Sequence, residues 1–554
     1  MTDIVKSSEP SRLPWSMTLG ELVDQAVARD PQKVYLYFQK HQVTYEGLRD
    51  MSLRAASMFG GLGVGHGDRV ALFLPNGREF LISWMGLSYL GAVGVPINTA
   101  YKAEETGYIL NNAEVNVLVA HHTLLEVANR ASQSCASLRH SLVVGDVADS
   151  YPRWKGFWQL LNEAPATPLP SQGKVTPQDV SMLVYTSGTT GNPKGVMITH
   201  EMYVAAGQGF ATWTGATPED RFFTCLPYFH ANAQYYSTMG SLAIGASLVL
   251  EDRFSASRFW DQVRGSGATV VNFIGMMMPV LLKQPPGEQD GDSAVRLFYG
   301  SPAMEPATLE EFERRFGAEV LIGFALTECC YGTVEPRGQP HRGGSSGRPR
   351  WHPDPRFRNE LAIVDGRGNP MLPGEAGEIT LKSPAVTPGY WRDPERTAEA
   401  ISDGRLHTGD LGLLDQDGYL YFVDRKKDVV RRRGENISSQ EVEAVIKKHP
   451  KVMDCAVIAV PSELGEEEVK AYVVPRVSAK EANDTTRGGL TPKEVVYWCA
   501  DHLASFKVPR FIELRDDLPR TPSLRVRKDQ LRQEREDLTT GCFDRERAGI
   551  QLKR

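Results

Sequence analysis

The sequence predicts an α/β fold in which a large N-terminal domain is followed by a smaller, mobile α+β domain. Its 554 residues exceed several-fold the roughly 150 of an average domain, so two unequal cores are expected. Through about residue 420, short β-branched runs alternate with helical periodicity, which is typical of strands separated by packed helices. A basic segment after Tyr421 then precedes a new helix start. We therefore expect domains at 1–424 and 429–554, with a hinge at 425–428.

The large domain offers clear strand and helix signals. Arg69–Leu74 is predicted to be a buried strand ended by Pro75, and Val93–Ile97 and Val115–Val119 are further β runs. The residues at helical spacing after the first of these strands are Leu81, Trp84, Met85, Ser88 and Tyr89. A parallel sheet covered by helices satisfies this pattern. The Gly- and Pro-rich stretch 337–355 predicts a solvent-exposed connection inside this domain.

The small domain shows an equally regular order of elements. Ser438 and Glu441 have capping-box spacing at a helix start. The elements expected after that helix are strands at Cys455–Val460 and Ala471–Val474, a helix from about Thr491, and a strand near Phe511–Leu514. A module of this size can fold on its own.

Composition excludes several classes of protein. A formal charge of -6 argues against a nucleic-acid partner. The longest apolar runs fall short of the roughly 20 residues needed to span a bilayer, and the N-terminal residues lack the pattern of a signal peptide, so we expect a cytoplasmic protein. Seven cysteines without C-x-x-C spacing indicate reduced thiols, mostly buried, rather than disulfides or a zinc site.

The segment that carries most chemical information follows the predicted strand Ser181–Tyr185. It reads TSGTTGNPKG from Thr186 to Gly195. Its glycines allow a tight turn with inward N–H groups, its hydroxyls add donors and Lys194 adds a cation, so it is equipped to hold phosphate. A P-loop NTPase is disfavoured, because a Walker A loop places Ser or Thr directly after its lysine. A Gly- and Thr-rich surface turn is the remaining alternative for so short a segment.

The full string YTSGTTGNPKG resembles the phosphate loop of the adenylate-forming superfamily, which includes acyl-CoA synthetases, luciferases and peptide-synthetase adenylation domains. This resemblance implies the adenylate-forming enzyme fold. The loop residues that it implies in AMP or ATP binding are Thr186, Ser187, Gly188, Thr189, Thr190, Gly191 and Lys194, with Lys194 also catalytic.

Further sequence segments that resemble motifs of the same superfamily follow in order along the chain. Leu226–His230 resembles the segment whose histidine, here the catalytic candidate His230, lies near the acyl pocket. Two segments resemble the motifs that form the adenine and phosphate site. They are Gly300, Ser301 and Pro302, and then Gly323, Phe324, Ala325, Leu326, Thr327 and Glu328. The resemblance implies that Phe324 lies near the adenine, that Thr327 contacts phosphate, and that Glu328 faces Mg²⁺, the latter two as catalytic residues.

The motifs nearer the C-terminus resemble those that bind the ribose and form the hinge between the domains. Asp410 in HTGD and Arg425 in DRKKD match the ribose-binding positions, Phe422 matches a nucleotide-site position, and Lys427 matches the pivot. The stretch DRKKDVVRRRGENIS most resembles bacterial crotonobetaine/carnitine-CoA ligases. Where many relatives have Gly-Gly before Glu-Asn, this chain has Arg433-Gly434, which we expect to contact CoA or to narrow its channel.

The resemblance to this superfamily implies two half-reactions, with a carboxylic acid, ATP and CoA as the substrates. A carboxylic acid attacks the α-phosphate of ATP to give acyl-AMP and pyrophosphate, and the CoA thiol then displaces AMP after the small domain rotates. Adenylation brings an anion toward a polyanion, so it depends on cations where charge develops, and Mg²⁺ can serve as the Lewis acid.

One motif near the C-terminus differs from the superfamily pattern P-R-T-x-x-G-K. Arg525 stands at the position of the catalytic lysine, and Leu524 stands at that of the glycine. A planar guanidinium does not simply replace a compact ammonium, and a displacement of about 1 Å can cost on the order of 10²-fold in rate. Lys528 could enter through a register shift. We therefore expect impaired adenylation, with acyl-adenylate supplied by a separate adenylating enzyme and thioester formation retained.

Two alternatives stay open, a complete ATP-dependent acid–CoA ligase and a non-catalytic adenylate- or CoA-binding homologue. The residues predicted to line the acyl pocket are Phe229, Ala231, Asn232, Gln234 and Met276, with Met277 and Met278 beside the last. Methionines there predict a bulky hydrophobic acyl group, unless they simply fill the core, which is the commoner use of Met.

Overall fold

The computed structural model describes residues 13–146, 151–167, 174–186, 193–275, 277–425, 428–432, 435–461, 467–477, 489–503, 505–521 and 526–551. The chain forms two compact units. The first comprises Met1–Ala362, Thr380–His407 and Asp417–Leu420, and the second comprises Ile363–Ile379, Thr408–Gln416 and Tyr421–Arg554. The expected fold class is confirmed, with a large α/β unit and a smaller C-terminal one. The expected limits of the domains and of the hinge stay predictions.

The first unit is rich in helices. Within the described ranges its α-helices are Leu19–Arg29, Tyr45–Gly61, Arg78–Leu90, Ala103–Asn112, Leu125–Ser132, Phe157–Glu163, His200–Thr214, Met239–Ile244, Phe259–Ser266, Met277–Leu282, Pro306–Phe316 and Pro394–Ala400, with a 3-10 turn at His122–Leu124 and a π-helical segment at Ala233–Thr238. The residues predicted at helical spacing after residue 80 lie on Arg78–Leu90, which is buried from Phe80 onward.

Most strands of the first unit lie in two largely parallel sheets. Among the described residues, a nine-stranded sheet has the order Arg348–Pro349, Cys329–Val334, Glu319–Leu326, Leu297–Ser301, Val270–Ile274, Arg221–Thr224, Ser247–Leu250, Val34–Phe38 and His41–Thr44. A seven-stranded sheet has the order Trp154–Gly156, His140–Val144, Val117–His121, Arg69–Phe73, Val93–Pro96, Val180–Thr186 and Lys194–Thr199. The predicted parallel pairing of the early strands is observed, with Val117–His121 beginning two residues later than expected.

The second unit has its own sheet and core. In the part of this unit that the structure describes, strands Val452–Pro461, Glu467–Pro475, Phe511–Leu514 and Phe543–Asp544 form a sheet, strands Val430–Arg432 and Glu435–Ile437 form a hairpin, and the helices are Ser439–Lys447, Pro492–His502 and Lys528–Gln533. Ser438 caps its helix through the Glu441 N–H, but the Glu441 carboxylate pairs with Lys507 at 2.6 Å. The other strands that the described residues form are Glu360–Val364, Gly377–Lys382, Ile401–Ser402, Arg405–Leu414 and Leu420–Arg425.

The predicted exposure of residues 337–355 is only partly correct. Residues 338–340 are exposed, but Ser345, Ser346 and Arg350 are buried. Arg350 donates to Thr333 O at 2.9 Å and to Tyr236 Oη at 2.7 Å, so its charge is solvated inside the core. Composition indicated a loop correctly, but it did not show that side chains of the loop serve as internal donors.

The cysteines follow the sequence expectation. All seven are free thiols; six are buried and Cys542 is half-buried. Within the described residues, every helix is too short or too polar to span a bilayer.

Candidate active site

The phosphate-loop candidate sits on a hairpin of the seven-stranded sheet. Thr186 ends one strand and pairs directly with Lys194, the first residue of the next. The antiparallel register therefore brings the Lys194 side chain to the base of the loop. The predicted contacts Ser187, Gly188, Thr189, Thr190 and Gly191 lie outside the described residues.

A second hairpin presents Thr327 and Glu328. Leu326 pairs with Cys329 across antiparallel strands, so Thr327 and Glu328 form the turn between them. The backbone on each side is held, because Tyr235 donates its hydroxyl to Thr327 O at 2.9 Å and Thr387 N donates to Glu328 O at 2.8 Å. The turn is thereby fixed in place.

These two hairpins bring opposite charges together. Lys194 Nζ lies 3.0 Å from Glu328 Oε1, and the Glu328 side chain is only 10% exposed. Tyr390 bonds both partners, since its hydroxyl accepts from Lys194 at 2.6 Å and donates to Glu328 at 3.0 Å. Lys194 Nζ also lies 3.9 Å from the centre of the Tyr390 ring, a cation–π contact. Burial and the Glu328 carboxylate raise the pKa of Tyr390, so its hydroxyl stays protonated and able to donate.

Tyr390 was missed by sequence reasoning. It follows Gly389 in a loop, and backbone bonds from Met197 N to Gly389 O and from Trp391 N to Gly195 O attach this loop to the strand that carries Lys194. No spacing rule relates residues so distant along the chain. Only the tertiary fold places its hydroxyl between the ammonium and the carboxylate.

The predicted adenine wall is formed by neighbouring strand ends. Ser301 and Gly300 end the strand Leu297–Ser301, and a cis peptide joins Ser301 to Pro302. The neighbouring strand in the same sheet carries Gly323, Phe324 and Ala325. A Cβ at Gly300 would lie 2.4 Å from Phe273 O, so glycine is needed for this close strand approach.

The acyl segment is a tight turn that runs into the π-helical stretch. Phe229 and Ala231 are buried. The His230 Nε2 and Asn232 Oδ1 atoms are buried without a hydrogen-bond partner among the described residues. Burial lowers the pKa of His230 to about 4, so the ring is neutral at physiological pH.

The other predicted pocket residues are placed differently. Gln234 is completely buried, where it donates to Tyr228 O and accepts from the Tyr203 hydroxyl, both at 2.5 Å. Its amide is thus committed to the core. Met277 and Met278 also pack in the core, and Met276 lies outside the described residues.

The ribose candidates belong to the second unit. Asp410 is buried and lies 3.4 Å from Arg425 Nε, while Phe422 is half-buried in the same strand as Arg425. Next to Arg425, the fully buried Asp424 carboxylate accepts from Ser439 N at 2.5 Å and from Ser439 Oγ at 2.9 Å. This carboxylate therefore anchors the start of the helix Ser439–Lys447.

The residues expected to act from the small domain are only partly described. Lys427, Arg433, Gly434 and Arg525 lie outside the described residues. Lys528 is described: its ammonium lies 2.7 Å from Glu443 Oε1 and donates to Ser439 Oγ at 2.6 Å, with the side chain 13% exposed. This lysine is therefore held within the second unit.

Comparison with known proteins gives matches over most of the chain. Residues 23–391 match the family model of AMP-binding enzymes, and residues 441–525 match that of the AMP-binding enzyme C-terminal domain. The crotonobetaine/carnitine–CoA ligase of Salmonella typhimurium is 35% identical over 499 residues, covering 89% of this chain and 93% of that protein.

Solved structures share the fold. The anthranilate CoA ligase AuaEII in complex with anthranoyl-AMP has a TM-score of 0.82 and 25% identity, covering 94% of this chain and 98% of its own. ATP-bound MatB from Rhodopseudomonas palustris has a TM-score of 0.82 and 26% identity, covering 95% of this chain and 100% of its own. The similarity thus extends over both units.

Proposed function

The chain belongs to the family of AMP-binding enzymes, within the acyl-CoA synthetases and ligases, and we propose that it forms an acyl-CoA thioester from an acyl-adenylate and CoA. In this proposal the adenylation half-reaction is slow, and a separate adenylating enzyme supplies the acyl-AMP. The observation that carries it is Arg525 at the position of the family's mobile lysine. A guanidinium keeps the charge but not the compact, single-centre donor geometry of an ammonium.

The nearest substitute for that lysine is already engaged. Lys528 is bound to Glu443 and Ser439 in the second unit. Moving it would leave the Glu443 carboxylate, which is 14% exposed, without its cation. Breaking a shielded pair by removing one partner is costly. This cost argues against a register shift that would bring Lys528 into the adenylation site.

The requirements of the second half-reaction are different and match the described residues. Lys194 supplies a fixed cation at the base of the phosphate loop, and Asp410 supplies a buried carboxylate suited to ribose hydroxyls. A neutral His230 can accept or donate one hydrogen bond near the acyl group without adding charge. In this proposal Lys194 and His230 of the first unit would bind the phosphate and the acyl group of acyl-AMP while the thiol attacks its carbonyl carbon and AMP leaves.

Glu328 and Thr327 also fit a divalent cation. They offer a carboxylate and a hydroxyl, and Mg²⁺ usually takes one or two carboxylates together with substrate phosphates. These residues would hold Mg²⁺, which when bound supplies Lewis-acid charge to the phosphates. Lys194 would then exchange its carboxylate partner for a phosphate oxygen.

A complete ATP-dependent acid–CoA ligase is the second candidate. It is favoured by the retained positive charge at Arg525 and by the similarity to the Salmonella typhimurium crotonobetaine/carnitine–CoA ligase. This candidate needs no partner enzyme. The two candidates differ only in the rate of the first half-reaction.

The deciding experiment measures each half-reaction alone. Purified protein with ATP, Mg²⁺ and a panel of acids is assayed for pyrophosphate exchange, and the same protein with synthetic acyl-AMP and CoA is assayed for thioester. The proposal expects thioester formation with exchange slower by about 10²-fold or more. Exchange as fast as thioester formation would establish the complete ligase. AMP binding without product in either assay would indicate a non-catalytic homologue.

A further inference from the structure

The strand Val270–Ile274 carries a buried amide whose hydrogen-bonding groups have no partner in the part of the chain that the structure describes. Asn272 is 1% exposed, and neither its Oδ1 nor its Nδ2 has a hydrogen-bond partner among the described residues. Both side-chain atoms lack a described partner, so the amide is unsatisfied in either of its two flipped orientations. Burying such a group without a bond costs its full desolvation free energy, and Leu would fill this space without that cost.

Asn272 faces the helices that follow the acyl segment. It pairs with Tyr299 in parallel register, and paired residues of neighbouring strands point to the same face of a sheet. Tyr299 packs against Phe210 at 4.9 Å and against Tyr236 at 5.0 Å between ring centres. Tyr236 belongs to the π-helical segment Ala233–Thr238, which contacts the strand of Asn272. The amide is therefore covered by this segment.

The amide also lies just below the predicted adenine wall. In the same register Phe273 pairs with Gly300 and Ile274 pairs with Ser301. At about 3.3 Å per residue, Asn272 is roughly 7 Å below the strand edge. The acyl segment follows the strand Arg221–Thr224, which pairs in parallel with the strand of Asn272, so it begins at this same edge of the sheet. An acyl chain that extended inward from this edge would approach the amide.

Other buried polar atoms without partners mark the same region. His230 Nε2, Asn232 Oδ1 and Ser237 Oγ have no hydrogen-bond partner among the described residues. These atoms lie on the acyl segment and on the π-helical segment that follows it. π-helical turns frequently occur at functional sites. Met277 and Met278 pack in the core, and Met276 lies outside the described residues, so the predicted bulky hydrophobic acyl group stays a prediction.

We propose that the acyl group carries a hydroxyl, and that Asn272 recognises it. A hydroxyl donates one hydrogen bond and accepts others, so it satisfies the amide oxygen and the amide nitrogen at once. The substrate class is thus a hydroxylated carboxylic acid rather than its alkyl counterpart. This inference rests on the proposed function, because it requires an acyl-adenylate at the site.

The test measures binding, so it does not depend on turnover. Stable acyl-sulfamoyl adenosines are prepared from butyrate and from 2-, 3- and 4-hydroxybutyrate, and their dissociation constants are measured by calorimetry. At least one hydroxyacyl analogue should bind the wild-type protein 30-fold or more tightly than the butyryl analogue. Asn272→Leu should reduce this ratio below threefold, because a site built to bond a hydroxyl discriminates through its own polar group.

Ser83→Ala is the matched control. Ser83 Oγ is another buried hydroxyl without a described partner, on the helix Arg78–Leu90, and its removal should leave the ratio unchanged. Equal affinity of the wild-type protein for all four analogues would overturn the inference and would indicate that the amide bonds only to water. This outcome is measured on the wild-type protein, so it does not depend on whether Asn272→Leu folds. If AMP still bound, the proposed function would stand. Failure of both AMP and every analogue to bind would overturn both.

Discussion

Lys194 and Glu328 form an ion pair 3.0 Å long at the point where two hairpins of the first unit meet. Each residue is expected to serve the nucleotide, one through phosphate and the other through Mg²⁺. They neutralise each other, and Tyr390 bonds both. The buried Glu328 carboxylate is therefore paired with a cation, which avoids the cost of an unpaired buried charge.

Tyr390→Phe should lower kcat for thioester formation by roughly tenfold, because Lys194 and Glu328 lose the hydroxyl that positions them. The ring and its contact with the Lys194 ammonium would remain. The measurement is kcat with saturating acyl-AMP and CoA. Tyr45→Phe is the control, since it removes a buried hydroxyl that donates to Ala246 O at 2.5 Å, outside the site. Equal losses in the two variants would argue against a positioning role for Tyr390.

Arg525→Lys should raise pyrophosphate exchange by about tenfold or more, since it restores an ammonium at the family's lysine position. Thioester formation from acyl-AMP should change less than threefold. Arg527→Lys, two residues away and paired with Asp529 at 2.9 Å, should change neither rate. If exchange in Arg525→Lys stayed at the wild-type level, the proposal that Arg525 slows adenylation would be wrong.

Lys528→Met should destabilise the second unit by about 1 to 3 kcal/mol, because it leaves the shielded Glu443 carboxylate without its charged hydrogen bond. Pyrophosphate exchange should stay within twofold of wild type. Unfolding is followed in denaturant. Lys507→Met, which breaks the more exposed pair with Glu441, should cost at most about 1 kcal/mol. Loss of exchange in Lys528→Met alone would show that this lysine reaches the active site.

His341 predicts a loss of stability at alkaline pH. Its ring lies between Glu313 at 3.2 Å and Glu335 at 3.1 Å, and the hydrogen bonds that its ring N–H groups donate to these carboxylates raise its pKa from 6.5 to about 10. The folded state therefore holds a proton that the unfolded state releases between these values. Stability from this group is complete below pH 6.5 and falls as pH rises toward 10.

His341→Gln should thus lower the melting temperature at pH 7 and flatten its decline between pH 7 and 10. The measurement is thermal unfolding across that range. His66→Gln, at a half-exposed ring paired with Asp179, should leave the slope as in wild type. An unchanged slope in His341→Gln would assign the alkaline loss to other groups.

Local patterns predicted the elements better than they predicted the site. The strand at Arg69 and the helix after Ser438 were found because burial and capping leave a signal within a few residues. Tyr390, the internal Arg350 and the amide of Asn272 leave no such signal, since each is given its role by neighbours distant along the chain.

The sequence alone determined the α/β class and the residue types of the predicted phosphate loop, and it predicted an exchange of lysine for arginine at Arg525, because these depend on residue type and local spacing. Only the tertiary structure decided that Lys194 pairs with Glu328 through Tyr390, that Lys528 is held by Glu443, and that Asn272 lacks a described partner. The physical reason is that pairing and desolvation depend on distances of a few ångströms between side chains, and strand register and packing set those distances.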